Sequence, residues 1–431
     1  MHSRVTTSAV TSALGAWRLA EAPVGPRVPA RDTATSIHPL VSWAFCLMIF
    51  SFHFEMPLRD LGWQPPQITA TLFLLATLLQ PSQCFGRTHT ALLWWLAYTY
   101  VFAVSVVWHG LIDPPEGARL FLFLVQALFV CWAGFNLWQY DDIARKALWW
   151  FVIGSLLRAL LPLAGIGRTG ITAGRLSAFG QDPNTSAVLL AAALVILIGL
   201  TYGPVRSRWW LRLLAWPFAA LLALVVVQSG SRGGLFALAA GLSTWTLLPG
   251  RLWSRVRGAL MAGIAIGLLA TYVEHSPLMK SRLENSAEQG AMAGREELFP
   301  ASWSMFVEKP WGGWGPINNQ YEVLTRAPDH MPGPPYTRAD AHNLFLDLLA
   351  STGLVGAGPY LMALALCLRG AWRARAGEYR IVPLALMAVF LTGNLSLNQL
   401  TYKPFWLMLA FALACERRLA SARRGDGSPE R

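Results

Sequence analysis

The chain has 431 residues, 54% of them hydrophobic and 13% charged, where a soluble domain carries about a quarter charged residues. With a mean hydropathy of +0.41, this excludes a soluble enzyme, a disordered chain and a secreted disulfide scaffold, and it defines a polytopic membrane protein. A net charge of +12 would suggest nucleic acid in a soluble protein, but in a membrane protein the placement of the charges decides more than their sum, and no nucleic-acid partner is expected.

Residues 1–37 are polar, carry Arg4, Arg18, Arg27 and Arg31, and read as a cytoplasmic tail. Twelve apolar stretches follow, at 38–56, 64–80, 89–109, 117–136, 144–164, 183–203, 207–228, 232–249, 255–273, 341–368, 379–397 and 401–418. Each approaches the roughly 20 residues that a spanning helix needs. The chain therefore divides into spans 1–9 over 38–273, a loop over 274–340, spans 10–12 over 341–418 and a basic tail over 419–431. With the N-terminus inside, 22 Lys and Arg fall on the inner face and five in the short outer loops, a bias that supports this orientation and an even helix count. The five cysteines are scattered through apolar runs without CxxC or a Cys/His cluster, so neither zinc nor a disulfide framework is expected. Many of the 20 tryptophans sit at predicted helix ends, where they suit the membrane interface.

The 67-residue loop 274–340 is too long to be a plain connection. Ser276-Pro277 reads as a helix start. Residues 294–309 read as a helix with Leu298, Ala301 and Met305 on one face, Glu296 and Glu297 near its start and Lys309 at its end, as the macrodipole prefers. Pro310 stops it, and Trp311-Gly-Gly-Trp-Gly-Pro316 predicts a rigid turn with close backbone approach.

On an outer face that disfavours cations, arginines need a reason. Arg232 sits in Gln228-Ser-Gly-Ser-Arg-Gly-Gly234, at the turn of a tight hairpin, where glycines admit a ligand. An anion site explains it, and snorkelling to headgroups is the blander alternative. Arg295 at a helix N-terminus opposes the dipole, an arrangement that makes sense if it shares an anion with the free N–H groups there, with a plain exposed arginine as the alternative. Arg175 precedes the Asp182-Pro-Asn184 helix start, and Arg338 lies shortly before the next span. His342, in Ala339-Asp-Ala-His-Asn-Leu-Phe345, is placed in the first turn of the 341–368 helix. A structural histidine is the blander reading. As a base it must be neutral, which nearby arginines favour and Asp340 opposes. The outer loops offer no Asp-x-Asp for a hard cation, and GxSxG, HExxH and P-loop motifs are absent. A transporter of a lipid-linked anion would also use arginines, but along a path through the membrane and with repeat symmetry.

Three motifs in order, Ser229-Gly-Ser-Arg-Gly-Gly-Leu235, Gly294-Arg-Glu-Glu-Leu-Phe-Pro-Ala-Ser-Trp303 with Pro310-Trp-Gly-Gly-Trp-Gly-Pro316, and Ala341-His-Asn-Leu-Phe-Leu-Asp-Leu-Leu-Ala-Ser-Thr-Gly-Leu354, resemble those of the O-antigen ligase and polymerase superfamily. The resemblance covers about 170–365. It implies an all-α polytopic fold of about twelve spans and a glycosyltransferase that needs no metal or other cofactor. The donor would be an undecaprenyl-diphosphate-linked glycan. The acceptor would be a sugar hydroxyl of lipid A–core in the ligase branch, or another carrier-linked repeat unit in the polymerase branch. Transfer would occur with inversion at the outer face of the bacterial inner membrane. By position, His342 would be the base, and Arg232, Arg295 and Arg175 would hold the diphosphate. Asn343, Asp340, Trp303 and Arg338 would support them. Chain length and span count favour the ligase branch.

Overall fold

A computed structural model describes residues 36–54, 64–109, 114–168, 175–176, 178–203, 209–248, 250, 252–289, 294–327 and 338–425. The N-terminal tail and the 328–337 part of the loop lie outside the described residues, as do Arg59 and Arg206. The described residues are almost wholly helical: α1 (Pro39–Ser51), α2 (Pro65–Thr77), α3 (Pro81–Phe85), α4 (Thr90–Trp108), α5 (Pro114–Leu137), α6 (Asp141–Leu163), α7 (Pro183–Tyr202), α8 (Trp209–Gln228), α9 (Arg232–Ser243), α10 (Leu252–Glu274), α11 (Pro277–Gln289), α12 (Arg295–Glu308), α13 (Asn318–Arg326), α14 (Leu344–Ala374), α15 (Val382–Gly393) and α16 (Lys403–Gly425). Six of them, α4 to α8 and α14, are long and apolar enough to cross a membrane. All twelve predicted spans correspond to a helix, several of them short, and one 3-10 turn continues α9 over Thr244–Leu247.

Local chemistry explains the starts. Proline stands in the first turn of α1, α2, α3 and α7, where its missing N–H costs nothing. Asp182 caps α7 by accepting from Asn184 N (2.8 Å) and Thr185 N (3.1 Å). Asn343 caps α14 through Phe345 N and Leu346 N.

α7 is the central helix. In its most apolar window 72% of residues are buried, against 28% for α8 on the periphery. α7 packs on α8, α9 and α15, and α14 packs on α4 and α16. Small residues allow the closest crossings: Gly393 faces Val188, and Gly241 faces both Val389 and Val195. Large apolar side chains such as Leu93, Leu96, Tyr100 and Val107 remain exposed around the bundle, which suits lipid rather than water.

α14 is broken at Gly353, whose φ of 58° and ψ of −165° are open only to glycine. The predicted tryptophan–glycine turn fits into that break. Trp314 N and Gly315 N donate to Ala350 O and Ser351 O at 2.9 and 2.8 Å. Leu354 N and Val355 N donate to Pro310 O and Trp311 O at 2.8 and 3.2 Å. The loop thus satisfies the four backbone groups that the break frees, which holds α12 against the first half of α14. Leu298, Ala301 and Met305 of α12 form a small core there with Val323 and Ala350.

Candidate functional site

The site is built at the end of the bundle where α7, α9, α12, α14 and α16 begin. The α8–α9 hairpin turns over Ser229 and Gly230, the latter at a φ of 63°. Ser231 caps α9, its Oγ accepting from Gly234 N at 3.0 Å, so Arg232 is the first helical residue. Arg175 lies along this turn, its Cγ 3.2 Å from where a side chain on Gly230 would begin. Its Nε donates to Ser229 O at 2.9 Å and its Nη2 to Asn184 Oδ1 at 2.8 Å. Leu176 N donates to Gln228 O at 3.1 Å. Arg175 and Arg232 therefore belong to one structural unit, tied to the start of α7.

Arg295 is the first residue of α12, after Gly294 at a φ of 83°. Its Nη2 donates to Ser396 O at 2.9 Å. Ser396 belongs to the connection between α15 and α16, and its side chain lies directly against Gly233 of α9. The same connection receives the start of α14: Asn343 Nδ2 donates to Leu395 O at 3.2 Å, and Leu344 N donates to Asn394 O and Leu397 O, each at 3.0 Å. The 394–397 connection thus gathers three segments: its carbonyls hold Arg295 of α12 and the Asn343–Leu344 start of α14, and the Ser396 side chain packs against the hairpin of Arg232.

His342 precedes α14 rather than lying in its first turn, because Asn343 takes the cap position. It holds a φ of 46°, uncommon for a residue with a side chain. Asp340 stabilises this conformation: its Oδ1 accepts from His342 N at 2.9 Å and from the ring Nδ1 at 2.7 Å. The imidazole is 46% exposed, and its orientation leaves Nε2 for another group. The hydrogen bond and charge of Asp340 hold the His342 pKa above the ordinary histidine range, against burial and Arg295. Burial pushes the Asp340 carboxyl up, but the His342 bonds and the charges of His342 and Arg295 hold it below the usual range. In the opposition between arginines and Asp340, the carboxylate wins.

The remaining expected residues lie elsewhere. Trp303 is 51% exposed and pairs with Phe306 at 5.3 Å. Arg338 reaches Glu116 of α5 at 3.2 Å. Sequence reasoning missed Ser396 and Asn184, which carry no charge to mark them. Arg158 of α6, one of the few ionisable groups that the sequence places near the membrane helices, is buried and donates to Ala178 O (2.6 Å), Ser186 Oγ (2.8 Å) and His53 O (3.3 Å). A buried arginine in a spanning helix is itself a signal.

Chemically, a carboxylate-oriented imidazole can take a proton at Nε2. Arginines placed at helix N-termini suit an oxyanion such as phosphate. The molecule is thus a multi-pass α-helical membrane protein with a histidine–carboxylate pair and arginines at one end of its bundle. A family model described as O-antigen ligase matches residues 217–361, a span that contains Arg232, Arg295 and His342. An O-antigen ligase of Pseudomonas aeruginosa is 25% identical over 370 residues, covering 82% of this chain and 85% of that one. These two matches agree with the motifs and support a relationship to the O-antigen ligase superfamily, a family that implies glycosyltransferase-type enzymes.

Proposed function

We propose that the protein is an O-antigen ligase of the bacterial inner membrane. Both termini would be cytoplasmic, and the 274–340 loop and the site periplasmic, as the distribution of arginines favours. The donor is a glycan on undecaprenyl diphosphate and the acceptor a hydroxyl of lipid A–core. Membrane lipid surrounds both substrates, and no metal or other cofactor takes part.

The observation that carries this reading is the Asp340–His342 pair, held through Asn343 by the same short connection that holds Arg295. His342 Nε2 takes the proton of the acceptor hydroxyl as its oxygen bonds to C1 of the glycan. The C1–O bond to the carrier breaks, and its electron pair leaves with the undecaprenyl diphosphate. Charge grows on that leaving group in the transition state, where Arg232, Arg295 and Arg175 stabilise it with fixed donors. Asp340 keeps the ring oriented and stabilises the imidazolium that forms.

The test is the lipopolysaccharide of a strain lacking the chromosomal copy, complemented by wild type or by Arg232→Ala. A ligase leaves bare cores, with full-length glycan still on the carrier, in the deletion and Arg232→Ala strains. Cores capped with a single repeat would mean the polymerase branch, and an unchanged ladder would remove both readings.

A further inference from the structure

Asp347 lies near the start of α14, 6% exposed, in a helix apolar enough to cross a membrane, and the reaction proposed above gives it no task. A carboxylate persists in such surroundings only with partners. Besides the backbone of Ala341, its partners come from two other segments. Asn319 Nδ2 of α13 donates to Oδ1 at 3.0 Å, and Asn398 Nδ2 donates to Oδ2 at 2.9 Å. One carboxylate therefore holds both a helix of the long loop and the α15–α16 connection against the first half of α14.

The connection is further shaped by its own amides. Asn394 Nδ2 donates to Gln399 Oε1, and Gln399 N donates to Asn394 Oδ1, each at 3.1 Å. This makes 394–399 a closed turn. Its outward carbonyls are the ones that receive Leu344, Asn343 and Arg295. The contact between Asp347 and Asn398 ties this turn to the helix that His342 precedes.

We propose that Asp347 is a positioning residue: by clamping the 394–399 turn to α14, it sets where Arg295 sits relative to the Asp340–His342 pair. The inference rests on the functional reading above for its catalytic consequence, and on the hydrogen bonds alone for its structural one. Both acceptor oxygens face amide donors, so Asp347→Asn keeps the shape but removes the charge and puts an N–H₂ group in place of one acceptor, which weakens the clamp even where the Asn319 amide, whose Oδ1 has no other partner among the described residues, turns to meet it. Adding Asn398→Asp restores a donor–acceptor pair with the roles reversed.

The experiment uses the purified full-length protein in lipid nanodiscs, with spin labels on the exposed Val307 of α12 and Leu395 of the turn. Transfer from undecaprenyl-diphosphate-linked glycan to lipid A–core is measured on the same variants without labels. Asp347→Asn is expected to broaden the 307–395 distance distribution. It should lower kcat by about 10- to 100-fold, the effect of displacing reacting groups by about 1 Å, with less change in the donor KM. The double variant should recover both the narrow distribution and most of kcat, which a purely structural loss repaired nowhere else would not do. Wild-type distances and kcat in Asp347→Asn would overturn the proposal, as would a double variant no better than the single one. A wild-type protein that transfers no glycan would overturn the functional reading, and the distances would then decide the positioning alone.

Discussion

Gly313→Ala tests how the long loop is held. Gly313 has a φ of 68°, and an added Cβ would sit 2.5 Å from the Ser351 carbonyl carbon and oxygen and 2.6 Å from Thr352 N, all backbone atoms. Alanine in the left-handed region costs roughly 1–2 kcal/mol. The overlap also forces the turn out of the α14 break, where four backbone hydrogen bonds depend on it. At about 1 kcal/mol each, loss of two brings the total to about 3–4 kcal/mol, and loss of all four to about 5–6 kcal/mol. The neighbour Gly312 has open space where its Cβ would go and serves as the control. The assay is the fraction of monodisperse protein left after a series of heat steps in detergent, read by size exclusion. Gly313→Ala should lose its midpoint by several degrees while Gly312→Ala stays near wild type. Equal midpoints for the two variants would refute the account of the splice. Since the turn follows α12, whose first residue is Arg295, Gly313→Ala should also lower transfer at temperatures where the protein remains folded.

Further predictions concern the site. Transfer by the wild type should rise with pH as His342 loses its proton, through a midpoint above the ordinary histidine value of about 6.5. Asp340→Asn removes the largest influence that raises this midpoint, so the limb should move to lower pH while the plateau falls roughly 10- to 1000-fold; a pH–rate profile with an unmoved limb would contradict the pairing. Arg295→Ala should cut kcat/KM by roughly 10- to 100-fold, the effect of removing one charged donor, and Arg295→Lys should recover only part of it because the planar fork is lost; full activity in Arg295→Ala would remove Arg295 from donor binding, and full activity in Arg295→Lys would contradict the role of the fork.

Much of this architecture was legible in the sequence because membrane helices are marked by length and apolarity, which do not depend on their neighbours. The 294–309 reading matches α12 nearly to the residue, since Gly294, the acidic first turn and Pro310 are local signals. The glycine-rich turn was legible as a close approach, but not its destination. That destination is a break at Gly353, and a break in a helix is visible only through what fills it. Arg232 and Arg295 stood out because charge on the disfavoured face is rare, and His342 because a lone histidine opens an apolar run there. The segment that brings them together, Asn394-Leu-Ser-Leu-Asn-Gln399, was not legible. It works mainly through backbone carbonyls, which every residue has, and its amides mean nothing until Asp347 is placed opposite. The apolar run places the helix start at 341, three residues before Leu344, because such a run does not show that Asn343 will take the cap and leave His342 outside the helix.

The central claim is that His342 removes the acceptor proton. Its most direct test is glycan transfer in vitro by purified His342→Ala, with donor and acceptor saturating and folding checked by size exclusion. The expected result is a folded, monodisperse protein that still binds the carrier-linked donor and shows no transfer above background. Near-wild-type transfer by that variant would contradict it and take His342 out of the mechanism.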